Sequence, residues 1–98
     1  MQKIYKYPVN DCEGITKIKA PIVKVLDIQY QFFAHQPVLW ALIDDELQDI
    51  EVVVTSVATG APIVGLDANN YFKTLVDGYY VWHFFVEGAP TSIGSYLS

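Results

Sequence analysis

The chain contains no arginine, a single cysteine, two histidines and no apolar run long enough to cross a bilayer. All six basic residues are lysines, set against eleven carboxylates for a net charge of −5. Arginine is the favoured reader of phosphates and guanines, so an acidic chain without it is poorly equipped for a nucleic-acid polymer. The lone cysteine, Cys12, excludes an internal disulfide framework. It stands in Asn10-Asp11-Cys12-Glu13-Gly14, where two carboxylates disfavour the thiolate a nucleophile needs, and it reads as a turn residue. His35, His83 and Cys12 fall short of the roughly three or four converging ligands of a zinc site, so neither metal nor cofactor is expected. The longest apolar stretch, residues 37–43, is far below the roughly 18–20 residues of a membrane span. The first residues carry no signal-peptide core, and a cytoplasmic protein without a membrane partner is expected. Helical periodicity is missing, as are phosphate-cradling glycine loops and a G-x-S-x-G elbow, so no catalytic residue is assigned.

What is present is apolar and β-forming. Hydrophobic residues make up 52% of the chain and aromatics 14%, in short runs of Val, Ile, Tyr and Phe between turn signals. This pattern predicts an all-β fold, a small antiparallel sandwich or partly open barrel of about six to seven strands with at most one short helical turn. Residues 1–87 form the single β domain, and 88–98 a tail that is loosely ordered or packed at an interface. Lys3, Tyr5 and Tyr7 share one face of the first strand. In the run 22–33, strict alternation puts Ile22, Leu26, Ile28, Tyr30 and Phe32 on one face, with Lys24 among them. Residues 38–43 are apolar on both faces. Further on, Ile50, Val52 and Val54 point inward, with Asp49, Glu51 and Thr55 outward. Asp77-Gly78 marks a hairpin between runs 71–76 and 79–87.

Charge is uneven. Residues 1–24 hold five lysines against two carboxylates, a net +3; residues 25–98 hold one lysine against nine carboxylates, a net −8. The lysines are expected to guard strand edges, to pair with an acidic face of the same chain or of a second copy, or to meet a small anion. Asp44-Asp45-Glu46 with Asp49 reads as a solvated loop or single helical turn rather than a calcium site.

The last strand is apolar on both faces, with Tyr79, Val81, His83 and Phe85 on one and Tyr80, Trp82, Phe84 and Val86 on the other. A small domain has few elements to cover both, so Tyr79, Tyr80, Trp82, Phe84 and Val86 are expected at a homo-oligomer interface. Thr59-Gly60-Ala61-Pro62 is the loop best suited to a ligand: a hydroxyl, the N–H groups of Gly60 and Ala61, and a proline that stiffens the exit. Lys6, Tyr7, Trp40 and His83 are expected to complete this site, the aromatics by stacking.

Four segments in order carry a resemblance. Tyr5-Lys6-Tyr7-Pro8, Leu39-Trp40-Ala41-Leu42-Ile43-Asp44, Thr59-Gly60-Ala61-Pro62-Ile63 and, after Tyr71 and Thr74, Val81-Trp82-His83-Phe84-Phe85-Val86-Glu87 resemble a family of small phage and prophage proteins of unknown function. Its members read YKYP, LWALVD, TGHPI and VFHVFE. The resemblance covers about residues 3–87. It departs at Ala61, where that family often has histidine, and in the tail 88–98. It implies a phage accessory protein in a bacterial cytoplasm, and no reaction. The expected function is therefore non-enzymatic: a homo-oligomer that sequesters a small nucleotide-like ligand against host antiviral defence. The alternative is an accessory protein that binds a host or virion protein through its apolar face.

Overall fold

Alternating burial along the strands builds two sheets around one core. A computed structural model of the chain describes residues 1–10, 14–31 and 36–90; Cys12, His35, Phe32 and the tail from Thr91 onward lie outside the described residues. Among these are seven strands: β1 Gln2–Pro8, β2 Gly14–Ala20, β3 Ile22–Tyr30, β4 Pro37–Asp44, β5 Ile50–Ala58, β6 Tyr71–Asp77 and β7 Tyr80–Glu87. A 3-10 turn at Ala68–Asn70 precedes β6. The strands form a three-stranded sheet, β1-β4-β3, and a four-stranded sheet, β2-β5-β7-β6, antiparallel throughout. The fold is an open β-sandwich. The chain passes from one sheet to the other at Pro21, between Ala20, which pairs with Ile50, and Ile22, which pairs with Ile43.

The core lies between the sheets. Leu39, Ala41 and Ile43 of β4 face Val52 and Val54 of β5 and Phe84 and Val86 of β7, joined by Ile18, Ala20, Val9 and Leu75. On β3 the inward residues are Ile22, Val25 and Ile28, while Leu26 is exposed. Register shifts between Ile22 and Lys24 and between Val25 and Asp27 account for this departure from strict alternation. Each adds an unpaired residue, so the inward period becomes three. The hairpin loop also moves by one residue. Asp77 pairs with Tyr80, so the tight loop is Gly78-Tyr79, the glycine-first order of a type II′ turn.

The acidic residues 44–46 form a turn, with the Leu47 N–H donating to the Asp44 carbonyl at 3.0 Å, and not a helix. Lys3 reaches Asp45 at 3.5 Å, so the N-terminal lysines pair in part with the chain's own acidic loop. Edge strands β3 and β6 are clasped by Lys73 Nζ on Asp27 Oδ1 at 3.0 Å. Partial burial works against the Asp27 carboxylate. The hydrogen bonds it accepts from Lys73, the Ile28 N–H and Gln29, with the lysine charge, outweigh this and hold its pKa below the ordinary aspartate value. A carboxylate lowered in the folded state stabilises above its unfolded value, and the gain is lost as pH falls through the folded value. Acid titration of Asp27→Asn should therefore show a shallower loss of stability below about pH 4 than the parent chain.

Gly88, just after β7, has φ +86°, and a β-carbon there would lie 2.6 Å from the Glu51 carbonyl oxygen. Backbone cannot yield as a side-chain tip does, so Gly88→Ala should cost about 2 kcal/mol in denaturant melts. Ser56, opposite Phe84 in the register, is buried and its Oγ lacks a hydrogen-bond partner among the described residues. A buried hydroxyl left unpaired is a standing cost. Ser56→Ala should therefore be neutral or raise stability by up to about 1 kcal/mol, where loss of a paired serine would lower it.

Candidate functional site

Cross-strand pairing stacks rows of side chains on the outer face of the four-stranded sheet. Thr55 of β5 stands between Ile15 of β2 and Phe85 of β7, and Phe85 in turn faces Tyr71 of β6. The next row is Val57, His83 and Thr74. A register shift between Tyr71 and Lys73 places Tyr71 and Thr74 on one face, which strict alternation would forbid.

After β5 the chain turns back over this face. The Ala61 N–H donates to the Ala58 carbonyl at 3.1 Å, closing a turn with Gly60 in its third position at φ 88°. That positive φ makes it a type II turn, which glycine fills without strain. The Thr59 N–H is tied to the Val81 carbonyl at 3.2 Å. Two of the loop's N–H donors are thus already committed. The expectation that Ala61 offers its N–H to a ligand is corrected: the turn itself uses it.

The turn sets the Thr59 side chain against His83. Thr59 Oγ1 lies 2.7 Å from His83 Nε2, His83 Nδ1 lies 2.9 Å from Thr74 Oγ1, and Thr74 Oγ1 lies 2.6 Å from the Tyr71 hydroxyl. Four side chains from β5–loop, β7 and β6 form one continuous hydrogen-bonded chain. The Tyr71 ring also meets Phe85 edge-on, with centroids 5.9 Å apart.

This chain runs along a cleft of about 290 Å³ lined by Val57, Thr59, Ala61, Ile63, Tyr71, His83 and Phe85, with Ala58 and Gly60. Apart from that chain the walls are apolar, and among the described residues no lysine or carboxylate lines it. Across the loop lies a second cleft of about 440 Å³, which shares Val57 and Ala61 and adds Ile15, Thr55, Pro62, Val64, Leu66 and Glu87. A hollow of about 310 Å³, bounded by Lys24, Asn69, Asn70 and Pro90, shares Tyr71 with the first cleft and so meets one end of this chain.

Of the residues expected from sequence, Thr59, Gly60, Ala61 and His83 converge on the first cleft, and Pro62 lines the second. Lys6 and Trp40 do not join them. They pair on the three-stranded sheet, and Tyr7 sits there opposite Leu39. The interface set divides as well. Phe84 and Val86 are buried in this chain's own core and Trp82 packs against it, whereas Tyr79 and Tyr80 are exposed at the hairpin. The two faces of β7 were thus covered from within more fully than the element count implied, one by the sandwich and the other in part by the 59–66 loop. Tyr71, Thr74 and Phe85 join the site beyond the residues expected from sequence: the irregularity in β6 hides Tyr71 and Thr74, whereas Phe85 shares its face with His83 in the alternation of β7.

A family model described as a domain of unknown function, DUF7352, matches residues 1–93. The chain belongs to this family. No curated protein and no solved structure matches it. The match spans both sheets and the whole outer-face cleft, so the hydroxyl–imidazole–hydroxyl arrangement lies inside the DUF7352 region of the chain. Among the described residues no group of three or more His, Cys, Asp or Glu side chains is placed to hold a metal ion, and no helix is long and apolar enough to cross a membrane.

Proposed function

We propose that this protein is a non-enzymatic binder of a small, neutral, planar ligand of nucleobase type, held in the cleft between the 59–66 loop and the outer face of β5, β7 and β6. The observation that carries this reading is the polar chain from Thr59 through His83 and Thr74 to Tyr71 along an otherwise apolar cleft. Small-molecule sites commonly combine apolar walls with a few converging polar groups. The volume suits a single ring system, and Phe85, Tyr71 and Ile63 offer surfaces to pack against it. Among the described residues no carboxylate backs His83, whose two ring nitrogens both meet threonine hydroxyls, a set fitted to holding a ligand more than to driving proton abstraction.

Among the described residues no lysine lines the cleft, and Glu87 lines its neighbour, so the base and not a phosphate is the part we take to be recognised. The sequence resemblance implies a phage accessory protein in a bacterial cytoplasm, and sequestration of a nucleotide-like defence signal is the role proposed for this binding there. Calorimetry with uridine, inosine, adenosine, their 5′-monophosphates and a cyclic dinucleotide tests the reading. At least one nucleoside should bind, at least as tightly as its monophosphate, and be recovered unaltered after denaturation. Binding that requires the phosphate, or no binding in the whole panel, would count against it; altered ligand would point to an enzyme.

One observation favours the second reading, a protein-interaction role. Ile63 and Val64 on the loop are 52% and 84% exposed beside exposed Ile15. A host or virion partner docked there would be lost in Val64→Asp while nucleoside binding persists. Self-association through Tyr79 and Tyr80 is the oligomeric form of the same idea, and a sizing column with Tyr79→Ser tests it.

A further inference from the structure

The polar chain can run in two directions, and both of its ends open on the same cleft. A neutral imidazole has one donating and one accepting nitrogen, and a hydroxyl can serve as either. In one direction Tyr71 donates to Thr74, Thr74 to His83 Nδ1, and Nε2–H to Thr59 Oγ1. The Thr59 hydrogen is then free to donate and the Tyr71 oxygen to accept. In the other, Thr59 donates to Nε2, Nδ1–H to Thr74, and Thr74 to the Tyr71 oxygen. Thr59 is then the outward acceptor and Tyr71 the outward donor. The spacings of 2.7, 2.9 and 2.6 Å permit either order. Thr59 and Tyr71 both line the cleft of about 290 Å³.

We infer that His83 is a tautomeric switch that makes the two ends of the site complementary, so the cleft selects rings presenting both a hydrogen-bond donor and an acceptor. Amide-type edges, as in uracil and hypoxanthine, are the class that fits; rings offering acceptors alone leave one end of the chain unmatched. This rests on the proposed ligand-binding role of the cleft and adds its selectivity. The chain's order is cooperative, because reversing one hydrogen bond obliges the other two to reverse. A ligand that sets one end therefore sets the other about the imidazole between them. A site built around a substrate's hydrogen-bonding groups discriminates strongly against analogues lacking them, since its own polar groups are then left unpaired.

The test compares uridine with 3-methyluridine, and inosine with 1-methylinosine, on the parent chain and on Thr74→Val. The methyl group removes the ring N–H donor of the amide edge. The parent should bind the unmethylated nucleoside at least about tenfold more tightly, and Thr74→Val, which cuts the chain, should shrink that ratio severalfold. Equal binding of each pair by the parent overturns the selectivity and leaves the cleft reading standing. A ratio unchanged in Thr74→Val assigns the discrimination to steric bulk and equally overturns it. Absence of binding by all four nucleosides fails both readings. The 15N shifts of the His83 ring provide a readout without affinity: uridine should shift the balance between its tautomers, and an identical single tautomer in the free and bound protein would contradict the switch.

Discussion

Phe84→Ala should destabilise the protein by about 3–5 kcal/mol, the usual range for truncating a fully buried phenylalanine. Phe84 is 0% exposed and lies in the cluster that joins the two sheets, opposite Ser56 on β5. Domains of this size have a total stability of about 5–15 kcal/mol, so the variant should retain little cooperative structure at 37 °C. At roughly 4–8 °C per kcal/mol, its melting midpoint should fall by about 12–40 °C. The effect also separates two roles for β7. A phenylalanine in the chain's own core yields a drop that does not depend on protein concentration. A phenylalanine at a subunit interface yields a midpoint that moves with concentration and a shift in oligomer size. Concentration-independent destabilisation is the expected result.

His83→Phe should weaken uridine binding by about a hundredfold or more, near 2.7 kcal/mol, with far less effect on folding. The ring keeps its bulk over Val57 and Thr74 but loses both nitrogens that join Thr59 to Thr74. The stranded hydroxyls are accessible enough for water to satisfy them, so the stability cost should stay near 1 kcal/mol. His83→Gln, which keeps one donor and one acceptor, should recover part of the affinity. A folded His83→Phe protein that binds uridine within threefold of the parent would remove the imidazole from the site.

Much of the sandwich was legible because its central strands obey simple alternation. Val52 and Val54 point inward and Glu51 outward, and in β4 Leu39, Ala41 and Ile43 enter the core while Trp40 and Leu42 on the other face are half-buried. Two departures arise where period two fails. The shifts in β3 replaced an expected Leu26 with Val25 at the core, and the shift in β6 brought Tyr71 onto the face of Thr74. Such irregularities depend on tertiary packing, and nothing in composition marks them. The Thr59 loop stood out because a glycine between small and rigid residues signals a turn. Its partner in space, His83, was recognisable as a candidate, but the hydrogen bond between them spans 24 positions in the chain and depends on the β5–β7 register. Lys6 and Trp40 were grouped with them on chemistry alone. They do face each other, but on the other sheet.

The most direct test of the binding cleft is a 1H–15N correlation spectrum recorded through a titration with uridine. Perturbations should concentrate at residues 57–63, 71–74 and 83–85 and saturate together, with the β1–β4 pair around Lys6 and Trp40 unmoved. A saturating titration that leaves the Thr59, Thr74 and His83 amides in place, or that moves β1 and β4 instead, would contradict it.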